Sequence, residues 1–158
     1  MNPFNRQTDP VRHEIWQRLV AADCEAFATG NWSMIEGDFG AESFEGVRCF
    51  HSTNPDDWKI AFPNLASYRD SWLTAANEFR DRKFATVSHL EALLIRTHLD
   101  EIDIHGDRAL ALKKFYGQVP YKDGSVLADR RQTLFRLHRR ANGWKIVGFF
   151  GQLPLESE

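Results

Sequence analysis

Two places in the chain gather residues able to do chemistry. Residues 98–107, HLDEIDIHGD, place two histidines, three aspartates and one glutamate in ten positions. Such a set has the donors for a metal site or the carboxylate pair of an acid–base enzyme. Strand alternation dissolves the cluster: Ile102 and Ile104 take one side, Glu101, Asp103 and His105 the other, beside a Gly106-Asp107 reversal. These polar residues read as a solvated hairpin end, so no metal site is expected. Leu93, Ile95 and Leu99 have the opposite phase to the two isoleucines, which predicts a bulge near Asp100 and leaves His98 beside a bend as a site candidate.

The second place is Asp23. It stands three residues after Val20, four after Leu19 and four before Phe27, and so interrupts an apolar helix face. A carboxylate in apolar surroundings has its pKa raised toward the range useful for proton transfer. The competing reading is a helix-edge acid that pairs with an arginine or reaches solvent. His51, His89 and His98 are candidate partners, and Glu45 or His51 could supply a base. A residue of this type in a strand is more often an ordinary rim or hydrogen-bonded residue.

Several elements must position these groups. Asp9 followed by Pro10 begins a helix that runs to Gly30 with Val11, Ile15, Trp16, Leu19 and Val20 on its apolar side. NWSMIEGDF suggests a short helix near Gly37, Phe44–His51 a strand, and STNPDDWKIAFPN a turn-rich loop folded over something. From Asn64 a second long helix aligns Leu65, Tyr68, Trp72, Ala76 and Phe79. Everything after about Thr86 reads as an antiparallel meander: a long strand LEALLIRTHLDEIDI, then ALALKKFYGQV, DRRQTLFRLHR and WKIVGFFGQL. Helices first and a curved meander afterwards give an α+β class. Only the first few residues and the terminal LESE look frayed.

AFATGNWSMI, IDIHGDRALAL and FRLHRRANGWKIVGFF, in this order, resemble the nuclear transport factor 2-like superfamily. Its cone-shaped, cystatin-like α+β fold is shared by ketosteroid isomerases, SnoaL-type cyclases, scytalone dehydratase and binding modules. The resemblance covers nearly the whole chain and implies one domain, 1–158, with an apolar pocket between helices and concave sheet, and a homodimer through the outer sheet face. It puts Asp23 where ketosteroid isomerases carry an oxyanion-hole tyrosine, but Val47 and Thr133 near their two catalytic acids, so that mechanism is not expected here. It implies a cofactor-free isomerase, cyclase or dehydratase acting on a hydrophobic cyclic molecule. A non-catalytic ligand-binding or interaction module is the alternative.

Strand alternation sets the expected pocket walls. Arg131, Thr133, Phe135 and Leu137 face inward, as do Trp144, Ile146, Gly148 and Phe150, with Gly148 leaving room for a ligand. Leu134, Val147 and Phe149 then form the outer dimer patch. Trp16, Val20, Tyr68 and Trp72 complete the wall, Tyr68 as a possible hydroxyl donor, and Arg131 either grips a ligand carboxylate or pairs with an acid.

Composition narrows the classes. The net charge is −2, from 20 basic and 22 acidic residues, which leaves no footprint for nucleic acid or an anionic membrane. Arg130-Arg131 and Arg139-Arg140 are therefore solvated strand ends. Cys24 and Cys49 have neither zinc nor disulfide spacing. No secretory pattern opens the sequence and no apolar run reaches membrane-spanning length, so a cytoplasmic protein is expected.

Overall fold

The computed structural model describes residues 1–156; the last two residues of LESE lie outside it. The Asp9 carboxylate caps α1 (Pro10–Trp16) by accepting from the Arg12 backbone N–H, with Pro10 in the first turn. The helix continues through a π-helical segment, Gln17–Ala22, into α2 (Asp23–Thr29). It ends where Gly30 turns left-handed at φ 68°. The expected helix is thus one rod with a wide turn in its middle, immediately before Asp23.

Tight 3-10 turns at Trp32–Met34 and Glu36–Asp38 replace the short helix expected there. Strand β1 is only Glu45–Arg48, because the chain turns at Phe50 and His51, both with positive φ. The supposed loop after it contains strand β2 (Lys59–Phe62), antiparallel to β1. Its alternating Ile60 and Phe62 were outweighed in the sequence by the turn residues of STNPDD. Helix α3 (Leu65–Asp81) starts at a capping box in which Asn64 and Ser67 satisfy each other's backbone N–H groups.

The long strand expected from Leu90 is a helix followed by a strand. Ser88 and Glu91 form a reciprocal capping box that starts α4 (His89–Arg96), and β3 (Thr97–His105) begins only at Thr97. The S-x-x-E signature sits just before the apolar run and explains why ALLI winds instead of extending. The bulge near Asp100 is present, between His98 and Glu101. It lets Leu99 and Ile102, three positions apart, both point into the core.

β4 (Arg108–Phe115), β7 (Arg131–Arg140) and β8 (Gly143–Pro154) complete a six-stranded sheet in the order β2-β1-β8-β7-β4-β3. A side hairpin of β5 (Val119–Pro120) and β6 (Val126–Leu127) packs near Phe84 and Ala92. The core lies between the concave sheet face and the helices, through Ile15, Leu19, Trp72, Leu137 and Ile146 among others. Trp16 and Val20 belong to it.

Strand β8 corrects part of the expected inner face. Trp144 and Ile146 do point inward, but the register against β7 shifts between Arg136 and Leu137, and from there Phe149 and Gly151 take the inner side. Phe150 turns outward onto Trp58. Phe149 is therefore no part of a dimer patch, and Val147 is buried, with Gly40 packed on its side chain. The outer face keeps Leu110, Leu112 and Leu134 as apolar residues not fully buried. Gly148 is not a gap for a ligand: a β-carbon there would stand 2.6 Å from the Glu45 carbonyl oxygen, across the parallel pairing of β1 with β8. Gly148→Ala should accordingly lower stability by about 1–3 kcal/mol in urea unfolding while leaving ligand binding by the folded fraction unchanged.

Candidate functional site

Helices and sheet enclose a cavity of about 410 Å³. Tyr68, Trp72, Arg131, Thr133 and Phe135, expected as its walls, line it together with Asp23. Trp16, Val20 and Gly148 do not. The π-helical segment is the local device that presents Asp23, because a widened turn rotates the residues after it relative to a regular helix. Cys24 and Phe27 follow Asp23 onto the same wall.

The apolar part of the wall is aromatic. Trp72 stands edge-on to Phe27 at 5.4 Å and to Trp32 at 5.2 Å, and Phe149 lies 5.0 Å from the Tyr68 ring. Burial pushes the Tyr68 phenol well above its ordinary pKa; the Asp23 carboxylate adds to this and Arg131 opposes it. The hydroxyl is thus a neutral donor near neutral pH, and it makes no hydrogen bond to the described residues.

Lys113 is a cavity residue that the sequence pattern does not single out. Its ammonium donates to Asp23 Oδ2 at 2.7 Å, with the lysine side chain 3% exposed and that of the aspartate 31%. Asp23 therefore has a charged partner, as the competing reading held, although that partner is a lysine and the cavity is not filled. The signal was available: on β4, Ala109 and Ala111 are buried, so alternation carries Lys113 to the inner face opposite Thr133.

A second polar group lies along the wall. Arg96 donates to Asp129 Oδ1 at 2.7 Å and to its carbonyl oxygen, while Arg131 Nε donates to Oδ2 of the same carboxylate at 3.2 Å. The Arg131 guanidinium also stacks 4.1 Å from the centre of the Phe115 ring. Burial raises the Asp129 pKa, but hydrogen bonding and charge from Arg96, helped by Arg131, outweigh it and hold the carboxyl below its ordinary value. A depressed folded-state pKa contributes stability above the unfolded value of about 3.9, and that stability is lost as pH falls through the folded value. The urea midpoint of the wild type should therefore fall more steeply below about pH 4 than that of Asp129→Asn.

The histidines stand elsewhere. His51 is exposed beyond β1, and its backbone N–H donates to the Gln152 carbonyl at 2.7 Å. His98 stacks on Tyr116 at 3.7 Å and 9°, with Nε2 buried and unpartnered among the described residues. His89 contacts the Arg82 carbonyl at 2.7 Å through Nε2. None of the three lines the cavity. Glu45 is exposed on β1, whereas Val47 and Thr133, at the positions of the isomerase acids, both line the cavity without a carboxylate. Burial pushes the Cys24 thiol up, with Lys113 opposing and Asp23 adding, and its sulfur lies 3.8 Å from the Thr97 hydroxyl. It is an unreactive buried thiol. Among the described residues, no group of three or more His, Cys, Asp or Glu has metal-site geometry and no helix is long and apolar enough to cross a membrane.

No family profile and no curated protein matches the sequence. Solved structures do match the fold. A nuclear transport factor 2-like superfamily protein from Salmonella enterica serovar Typhimurium is 13% identical, covers 94% of both chains and gives a TM-score of 0.59. A cystatin-like domain of unknown function from Nostoc punctiforme is 14% identical, with 94% of this chain and 80% of the other covered and a TM-score of 0.63. A Shewanella frigidimarina protein described provisionally as a ketosteroid isomerase is 18% identical, over 84% and 90%, at a TM-score of 0.50. At such identities the likeness speaks for architecture alone. In its helices, its curved six-stranded sheet and these structural neighbours, the chain has the nuclear transport factor 2-like, cystatin-like α+β fold.

Proposed function

We propose that the chain is a cytoplasmic small-molecule-binding protein whose cavity takes a hydrophobic cyclic ligand, and that Asp23 performs acid–base chemistry on it of the isomerase, cyclase or dehydratase kind. One observation carries the reading: an aromatic-walled cavity of about 410 Å³ on which a carboxylate, Asp23, and a phenol without a hydrogen bond to the described residues, Tyr68, both open. A cyclic ketone bound there would have its carbonyl oxygen accept from the Tyr68 hydroxyl while Asp23 removes a proton from the adjacent carbon. The enolate oxygen keeps the Tyr68 hydrogen bond, and reprotonation at the same or another carbon completes the step. Lys113 holds the carboxylate in place through its 2.7 Å contact.

The Asp23–Lys113 pair also favours the second reading, a binding module without turnover, since the Lys113 ammonium already occupies one oxygen of the carboxylate. Deuterium incorporation from D₂O into 1-tetralone, followed by NMR beside a binding titration, separates the two. Exchange above the buffer rate that disappears in Asp23→Asn, with binding retained, supports catalysis. Binding with exchange at the buffer rate in the wild type leaves a binding module; absence of binding overturns both.

A further inference from the structure

We propose that the ligand carries an anionic group, a carboxylate or its equivalent, held by Arg48 and Arg131 while its hydrophobic body fills the aromatic end of the cavity. The inference rests on the binding reading above and names the chemical class of the ligand.

The cavity's charges do not balance. Four cations line it, Arg48, Arg96, Lys113 and Arg131, against two carboxylates, Asp23 and Asp129, an excess of two positive charges in a protein whose overall charge is −2. Lys113 is matched by Asp23. Asp129 is shared between Arg96 and Arg131, and Arg131 gives it only Nε, so both of its terminal nitrogens are without hydrogen bonds to the described residues. The Arg48 side chain has no carboxylate and no hydrogen bond among the described residues; its guanidinium rests 5.3 Å from the centre of the Phe62 ring. Guanidinium groups with an open planar edge, stacked on aromatic rings, suit two-point recognition of an oxyanion.

Strand register brings them to one wall of the cavity. Arg48 on β1 is opposite Gly151 on β8, where a β-carbon would come within 3.0 Å of the Phe149 ring and 3.8 Å of the Thr133 hydroxyl on β7. Thr133 is opposite Lys113 on β4, and Arg131 is opposite Phe115. Arg48, Gly151, Thr133 and Lys113 thus form a row across four neighbouring strands whose second position has no side chain. Arg131 lies two residues from Thr133 on the same face of β7. The bare Gly151 admits the edge of the Phe149 ring, so the aromatic wall reaches this row of polar groups, where the Thr133 hydroxyl also lines the cavity. Beyond this row the wall is Phe135, Phe149, Trp72 and Phe27. A neutral hydrocarbon would leave the two guanidinium edges desolvated and unmatched, whereas an aromatic or alicyclic carboxylate matches both ends.

Two nearly isosteric probes test this by calorimetry, 2-naphthoate and its neutral counterpart 2-acetylnaphthalene. The expected result is that 2-naphthoate binds at least about tenfold more tightly at low salt. The preference should shrink toward unity in Arg48→Gln and Arg131→Gln, while affinity for 2-acetylnaphthalene is retained or rises as an unmatched charge is removed. Retained neutral affinity shows that each variant has kept its folded cavity. Equal affinities for the two probes in the wild type overturn the anionic assignment and leave the cavity reading intact. A preference that survives both substitutions overturns the assignment to these arginines, and binding of neither probe overturns the cavity reading as well.

Discussion

Trp72→Ala lowers the unfolding free energy by about 3 kcal/mol, the lower end of the roughly 3–5 kcal/mol range for truncating a large buried aromatic. The side chain is 5% exposed and contacts Phe27 and Trp32 at ring separations of 5.4 and 5.2 Å, so truncation removes two edge-on aromatic contacts along with the buried apolar area. The low end is expected because one side of the indole already faces the cavity and has fewer atoms to lose. Trp72→Phe, which keeps a ring against Phe27, should cost about half as much. Urea unfolding followed by far-ultraviolet circular dichroism measures both without relying on the missing indole. A loss of under about 1 kcal/mol for the alanine variant would mean that α3 is not packed on the pocket as described.

Removing either partner of the Asp23–Lys113 pair is expected to have unequal effects. Asp23→Asn strands an ammonium whose side chain is 3% exposed, and an unmatched buried charge costs about 3 kcal/mol. Lys113→Met strands a carboxylate that is 31% exposed and opens onto the cavity, where solvent can hydrate it; about 1 kcal/mol is expected. The double variant, with both charges gone, should recover part of the larger loss. A double-mutant cycle in urea therefore yields a favourable coupling together with the order Asp23→Asn worse than Lys113→Met. The reverse order would mean that the aspartate, not the lysine, is the desolvated member. Because Asp23→Asn is also the variant that tests catalysis, its turnover must be compared at temperatures where it remains folded.

How much of this was readable in the sequence depended on which signal dominated each segment. The first helix, its Asp9 cap and its Gly30 stop followed from local chemistry that tertiary packing reinforced. The π-helical segment did not, since no residue type announces a widened turn. In residues 88–97 the apolar run fitted strand and helix alike, and the Ser88/Glu91 capping box decided for helix. On β8 strict alternation worked for Trp144 and Ile146 and then reversed at a bulge, which moved Phe149 inside and Gly148 under β1. A one-residue slip exchanges the faces of everything beyond it.

The site divided in the same way. Asp23 was singled out because a charge on an apolar helix face is a visible anomaly, and Thr133, Phe135 and Arg131 because β7 keeps its alternation throughout. Lys113 was passed over although Ala109 and Ala111 share its face, because LKKF looks like an ordinary polar strand end. Arg48 and Asp129 owe their place to strand order and to a loop, neither of which local patterning reveals. The histidines drew notice by residue type alone, and the fold sends them elsewhere.

The proposed function requires a small molecule to occupy the cavity between the helices and the concave sheet. The chain has five tryptophans, and of these only Trp72 lines that cavity. Indole N–H resonances in a ¹⁵N-labelled sample, assigned by loss of the Trp72 signal in Trp72→Phe, report on its occupancy directly. Titration with 2-naphthoate should shift the Trp72 resonance most, the adjacent Trp32 less, and leave Trp16, Trp58 and Trp144 in place. A shift confined to Trp58, which packs with Phe150 on the outer side of β8, or no shift while binding is observed calorimetrically, would contradict it.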